Sequence, residues 1–175
     1  MFNKILVAYD GSDNARRALN VASEFSKKLG ADLNIVHVLM HGRPSQELVR
    51  MAEVEHLVRE AYTTVLPGVP YAAGQLDNLL GGSASTDQTA RVVSALGDQL
   101  VSYAKSRSTE LGARHVKTLV RTGDYADEIL DTANEHNADM IVIGSRGLGK
   151  ITQTILGSVS QKVLHHAGQT VVVVK

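Results

Sequence analysis

Apolar runs too continuous for a half-exposed strand recur along this chain. KILVAY (4–9) has no alternation and stops at Asp10-Gly11. DLNIVHVL (32–39), ADMIVIG (138–144) and TVVVVK (170–175) read the same way. RHVKTLV (114–120) is more polar and more alternating. Continuous runs mark strands buried on both faces, which requires a parallel sheet covered by helices.

The intervening segments have helical spacing. Ser12 is placed to cap a helix. Ala15, Ala18, Leu19, Ala22, Phe25 and Leu29 then share one face, and Gly30 ends it. Ala126, Ile129, Leu130 and Ala133 mark a helix over roughly 124–137. Val159, Val163 and Leu164 mark another, starting near Gly157.

Strands alternating with helices predict an α/β fold with right-handed crossovers. The first and fourth strands are the most apolar and belong at the centre. The third carries Lys117 and Thr118 and suits an edge. The expected order is 3-2-1-4-5, five parallel strands with helices on both faces. The fifth strand, Val171-Val172-Val173-Val174, would then be an apolar edge open to a second chain. A dimer through residues 170–174 is expected; a covering helix or loop is the alternative.

Residues 40–113 exceed one crossover. Leu48, Met51, Val54, Val58, Ala61 and Val65 predict a helix over 46–65, broken by Pro67, Gly68 and Pro70. Residues 72–87 read as a loop. Residues 94–112 lie in a second helix, with Ser85 and Gln88 spaced as a capping box. The whole chain, 1–175, reads as one domain with 41–90 as an insertion too short for its own core.

Composition removes several function classes. The 18 basic and 18 acidic residues balance, so no charge excess draws the chain to nucleic acid. No apolar run nears the ~20 residues of a membrane span. The start, MFNKILVAYDG, lacks the cleavage pattern of a signal peptide. Without cysteine there are no disulfides or thiolate metal sites, and a cytoplasmic location is expected.

In an open parallel sheet, ligands bind where the strand order reverses, at the carboxyl ends of the strands. Here that point lies between strands one and four. Ala8-Tyr9-Asp10-Gly11-Ser12 and Gly144-Ser145-Arg146-Gly147 therefore meet. Gly144 and Gly147 offer close backbone approach and positive φ. Gly157-Ser158 opens a helix whose free amides and dipole favour a phosphate. Arg146 adds a cation, and Asp10 suits a ribose hydroxyl or a phosphate-bridging metal. Together these describe a nucleotide site. The bland reading is a plain turn and a plain helix start.

Residues 144–151, GSRGLGKI, nearly spell a P-loop, but Ile151 stands where a hydroxyl is required. The chain runs on through ITQTIL before Gly157-Ser158, so the relevant helix start comes later and Lys150 is expected to be solvated.

Gly144, Gly147, Gly157 and Ser158 fit G-x2-G-x9-G-[ST], with residues 148–156 as the spacer. With ILVAYDGS, GADLNIVHV and ADMIVIGSRG…LGSVSQKVLHHA…VVVVK, the chain resembles the universal stress protein family, specifically its ATP-binding branch. The resemblance covers residues 1–39 and about 92–175. It implies a Rossmann-like fold of the adenine nucleotide α hydrolase kind, usually a dimer through the last strand. It implies that backbone around Ala8 and Val38 holds adenine, and that Asp10 holds the ribose or metal-linked phosphates. Gly144, Arg146, Gly147, Gly157, Ser158 and Val159 would wrap the phosphates, with Ser160 close by. The implied ligand is ATP, with AMP or ADP as alternatives and Mg2+ as a companion. Two departures stand out: the 41–90 insertion, and Gln169-Thr170 where many relatives carry proline.

Other residues carry less. His165 and His166 are adjacent and point about 100° apart on a helix, so they share no metal easily. His37 reads as packed in strand two. Asp124, Asp127, Glu128 and Asp131 suit a helix start. Three functions compete: an ATP-binding regulatory dimer with an unidentified protein partner, a slow ATP hydrolase or nucleotidyl transferase, and an interaction module with an empty site. Turnover separates the first two, and retained nucleotide separates both from the third.

Overall fold

The computed structural model describes residues 2–40, 86–148 and 156–175. The elements run β1 (Lys4–Ala8), α1 (Asp13–Leu29), β2 (Asp32–Met40), α2 (Thr86–Glu110), β3 (Arg114–Gly123), α3 (Tyr125–Glu135), β4 (Met140–Gly144), α4 (Ser158–His166) and β5 (Thr170–Val174). The five strands form one parallel sheet in the order β3-β2-β1-β4-β5, as expected from the apolar runs.

Side chains alternate across each strand and feed two cores. Ile5, Val7, Leu33, Ile35, Met140 and Val142 face α1 and α2. Leu6, Ala8, Val36, Val38, Ile141 and Ile143 face α3 and α4. β1 and β4 are almost wholly buried, which is why neither needs a polar face.

Local signals fix the helix ends. The Ser12 hydroxyl accepts the Ala15 amide at 3.2 Å, and Gly30 terminates α1 at φ 69°. Asp124 caps α3 by accepting the amides of Ala126 and Asp127 at 3.1 and 3.2 Å. Two expected core residues face solvent instead. Leu29 and Leu164 are each 45 % exposed, because each stands near the last turn of its helix, beyond the sheet's cover.

β3 runs three residues further than expected, because β2 continues to pair with it up to Met40 opposite Gly123. It also carries an irregularity: Asp32 pairs with Arg114, but Asn34 pairs with Lys117. The additional residue falls near His115, whose φ is 43° and whose imidazole sits 2.7 Å from Asp32. Such a bulge is at home on an edge strand.

α2 starts at Thr86, where the Ser85–Gln88 spacing put the helix start, and so takes the last two residues of the stretch read as loop. The expected 46–65 helix, its Pro67–Pro70 break, residues 72–85 and Ser85 of the capping box lie outside the described residues, as does Lys150.

β5 pairs with β4 alone, so among the described residues no strand takes its outer edge. Its valines are half-buried, Val172 and Val174 against the α1 side and Val171 and Val173 against the α4 side. Among the described residues no helix is long and apolar enough to cross a membrane.

Candidate functional site

β1 pairs with β2 on one side and β4 on the other, so the crossovers diverge at the β1–β4 seam. A cavity of about 410 Å³ opens there. Ala8, Asp10, Val38, Gly144, Arg146, Gly147, Gly157, Ser158, Val159 and Ser160 all line it, so the structure brings together the ten residues that the resemblance assigned to a nucleotide.

The loop after β4 is held from three directions. From the β1–α1 corner, the Asp10 carboxylate accepts the Leu148 amide at 3.2 Å and the Ser12 amide at 3.0 Å. Asn14 donates to the Ser145 hydroxyl at 3.3 Å. From β5, the Val174 carbonyl accepts the Ser145 amide at 2.6 Å. From α4, the Gly157 amide donates to the Ser145 carbonyl at 2.7 Å, and the Ser160 hydroxyl donates to the Gly144 carbonyl at 2.7 Å. Ser160 is thus buried behind the loop with its hydroxyl engaged.

The glycines differ from expectation in one respect. Neither Gly144 nor Gly147 has positive φ; among the described glycines only Gly11, Gly30 and Gly112 do. A Cβ on Gly144 would lie 2.8 Å from the Asn14 backbone carbon and 3.0 Å from the Ala15 nitrogen. Gly144 is therefore required by the close approach of α1, whatever else approaches it.

α4 begins differently from α1 and α3. Its N-cap is Gly157, with no side chain to accept the first amides. Those amides lack intrahelical partners by geometry, and they open beside Arg146 and Gly147 on the cavity wall. An anion-accepting end results.

The opposite end is apolar. Val36 and Val38 of β2, Ile143 of β4, and Tyr125 and Ile129 of α3 form it. The sequence reading missed Val36, Ile143, Tyr125 and Ile129. Val36 was legible, since it lies two residues before Val38 and so on the same face. Tyr125 was hidden because the Asp124 segment reads as a helix cap and nothing more. Tyr9 also lines the cavity, and burial pushes its phenol up to about 12.

α3 and α4 are tied beside the cavity. Lys162 lies 2.7 Å from Asp127 and 3.2 Å from Asp124. The pair of carboxylates, Asp127 first, holds the Lys162 ammonium above its ordinary range. Asp124 is held below the usual carboxylate range, chiefly by the Asp127 amide and then by Lys162.

None of the described histidines lines the cavity. His37 is 2 % exposed and its Nδ1 donates to the Tyr9 carbonyl at 2.8 Å, with Gly97 leaving room for the ring. His165 and His166 are exposed. Among the described residues no three His, Asp or Glu gather to hold a metal.

Comparison with known proteins accounts for the whole chain. The universal stress protein family model matches residues 1–64 and 44–175. Universal stress protein YxiE of Bacillus subtilis is 33% identical over 165 residues, spanning 93% of this chain and 92% of its own. The solved universal stress protein UspA from Lactobacillus plantarum superposes with a TM-score of 0.67 at 22% identity, covering 99% of this chain and 98% of its own. A universal stress protein in complex with cAMP gives 0.60 at 20% identity, covering 99% and 97%. The Archaeoglobus fulgidus protein in complex with dAMP gives 0.59 at 23%, covering 99% and 98%. The apolar runs build the fold of these solved proteins, and the match extends over the full chain: the chain belongs to the universal stress protein family.

Proposed function

We propose that this chain is an adenine-nucleotide-binding regulator of the ATP-binding branch, acting in the cytoplasm as a dimer joined through β5. ATP is its ligand, with AMP or ADP as alternatives. The observation that carries this reading is the division of the cavity. One end is apolar; the other offers Arg146, glycine backbone and an uncapped helix start. That suits a heterocyclic base joined to an anion. Two family proteins of like fold carry adenine nucleotides, cAMP and dAMP, which supports the base in particular.

In this reading the backbone at Ala8 and Val38 holds adenine and Asp10 the ribose. Gly144, Arg146, Gly147, Gly157, Ser158 and Val159 surround the phosphates, with Ser160 bracing the loop behind them. A Mg2+ ion fits beside Asp10. An ionised carboxylate offers about four lone-pair sites, so its amide bonds are compatible with a cation shared with phosphates. When bound, the ion would neutralise phosphate charge. Hydrolysis of ATP is the alternative. Asp10 is the one carboxylate among the described lining residues, and its bonds to two amides favour holding the loop over activating water. Nucleotide alters partner binding only if it prefers one of two states.

The test is mass spectrometry of small molecules released by acid from freshly purified protein, with ATP titration calorimetry in the presence and absence of magnesium. Stoichiometric adenine nucleotide or micromolar binding is expected. No nucleotide and no binding would overturn the reading.

A further inference from the structure

The apolar end of the cavity has a wall that no part of the glycine motif supplies. Tyr125 opens α3, and Ile129 follows it one turn later on the same face. Both line the cavity, opposite the polar end. Tyr125 packs against the same core as Ala8, Val36 and Val38, the floor on which a base would lie. Its backbone position is fixed from both sides in sequence. Asp124 before it caps α3, and Asp124 and Asp127 are both paired with Lys162 of α4. The α3 wall is therefore braced to the helix that carries the anion-accepting end.

The geometry points to Tyr125 as the residue that recognises the base, covering a planar aromatic heterocycle held on the β1–β2 floor. This rests on the nucleotide reading and adds a determinant that lies outside the motif. A ring face tolerates any flat heterocycle, so Tyr125 selects for the presence of a base. Removing an aromatic platform typically weakens base binding by about 1–3 kcal/mol, or about 5- to 150-fold.

The chain makes a direct test available, because it has no tryptophan and only five tyrosines. AMP is titrated into the full chain and its Y125A and Y125F variants, following tyrosine emission and calorimetric affinity. In the unsubstituted protein, AMP is expected to quench tyrosine emission. Y125A should bind AMP about 10-fold or more weakly, while Y125F keeps affinity within about 2-fold and loses the quench. If Y125A fails to melt cooperatively, Y125L replaces it: an apolar wall without a ring, expected to weaken AMP likewise. Unchanged affinity in Y125A or Y125L overturns the inference. So does a quench that persists in Y125F, which would assign the contact to another of the five tyrosines. If the unsubstituted protein binds no adenine nucleotide, the functional reading itself falls, and this inference with it.

Discussion

Residues that share a motif do different work here. Gly144 meets Asn14 and Ala15 of α1, whereas Gly147 is exposed on the cavity lip. Their substitutions should therefore separate. Gly144→Ala is expected to lower stability by about 1–3 kcal/mol through overpacking, read from denaturant midpoints. Gly147→Val should leave the melting curve and the oligomeric state intact yet abolish ATP binding, because a branched side chain enters the phosphate path. Unchanged ATP affinity would remove the loop from the site. Asp10 belongs to a third kind. Its carboxylate joins the β1–α1 corner to the Leu148 amide, so Asp10→Ala should loosen the loop as well as weaken ligand. The sequence allowed Asp10 and Gly144 to be placed at the cavity. It did not disclose their packing duties, since α1 approaches Gly144 from more than a hundred residues away in the chain.

At the scale of elements, carboxylates fasten ends. Asp139, just before β4, accepts the amides of Asn3 and Lys4 at 2.7 and 2.9 Å and so ties it to the start of β1. Those amides hold its carboxyl below the ordinary range. A depressed carboxyl stabilises the fold fully above its unfolded value of about 3.9 and loses that contribution as pH falls through the folded value. Asp139→Asn should therefore lower the melting temperature at pH 7, with the gap closing as pH falls below the ordinary carboxyl range; a gap independent of pH would discount the charge. β5 offers the second element-scale test. Asp at both Val172 and Val174 is expected to turn a sedimenting dimer into a monomer. Because these valines also rest on the α1-side core, melting must remain cooperative for the result to count. A dimer that survives puts the interface elsewhere. Strand identity was legible from KILVA and MIVIG, where burial on both faces leaves a continuous apolar run. The bulge in β3 was not, because register there depends on how Asp32 and His115 meet across the edge.

The described residues form a sheet with two cores, one under α1 and α2 and one under α3 and α4, and the cavity opens on the second. Ligand bound there should raise stability by mass action, by about 2.7 kcal/mol at a hundredfold excess over Kd. Thermal melts with and without ATP would register it, and no shift at saturating nucleotide would contradict the site. The topology was legible because it follows from crossover handedness and apolar ranking alone. The α3 wall was not, because it depends on which helix covers which strand.

Ser145 sets an order of assembly. Its amide is held by Val174 near the end of β5, and its carbonyl by Gly157 at the start of α4. During synthesis, β1, β2 and β4 can all have left the ribosome while this peptide still lacks its outer partner. The floor of the cavity is thus early, and its rim at Arg146 and Gly157 is late. A nascent chain stalled before Val174 would carry every residue of the glycine motif and still lack the bond that closes the loop against the sheet.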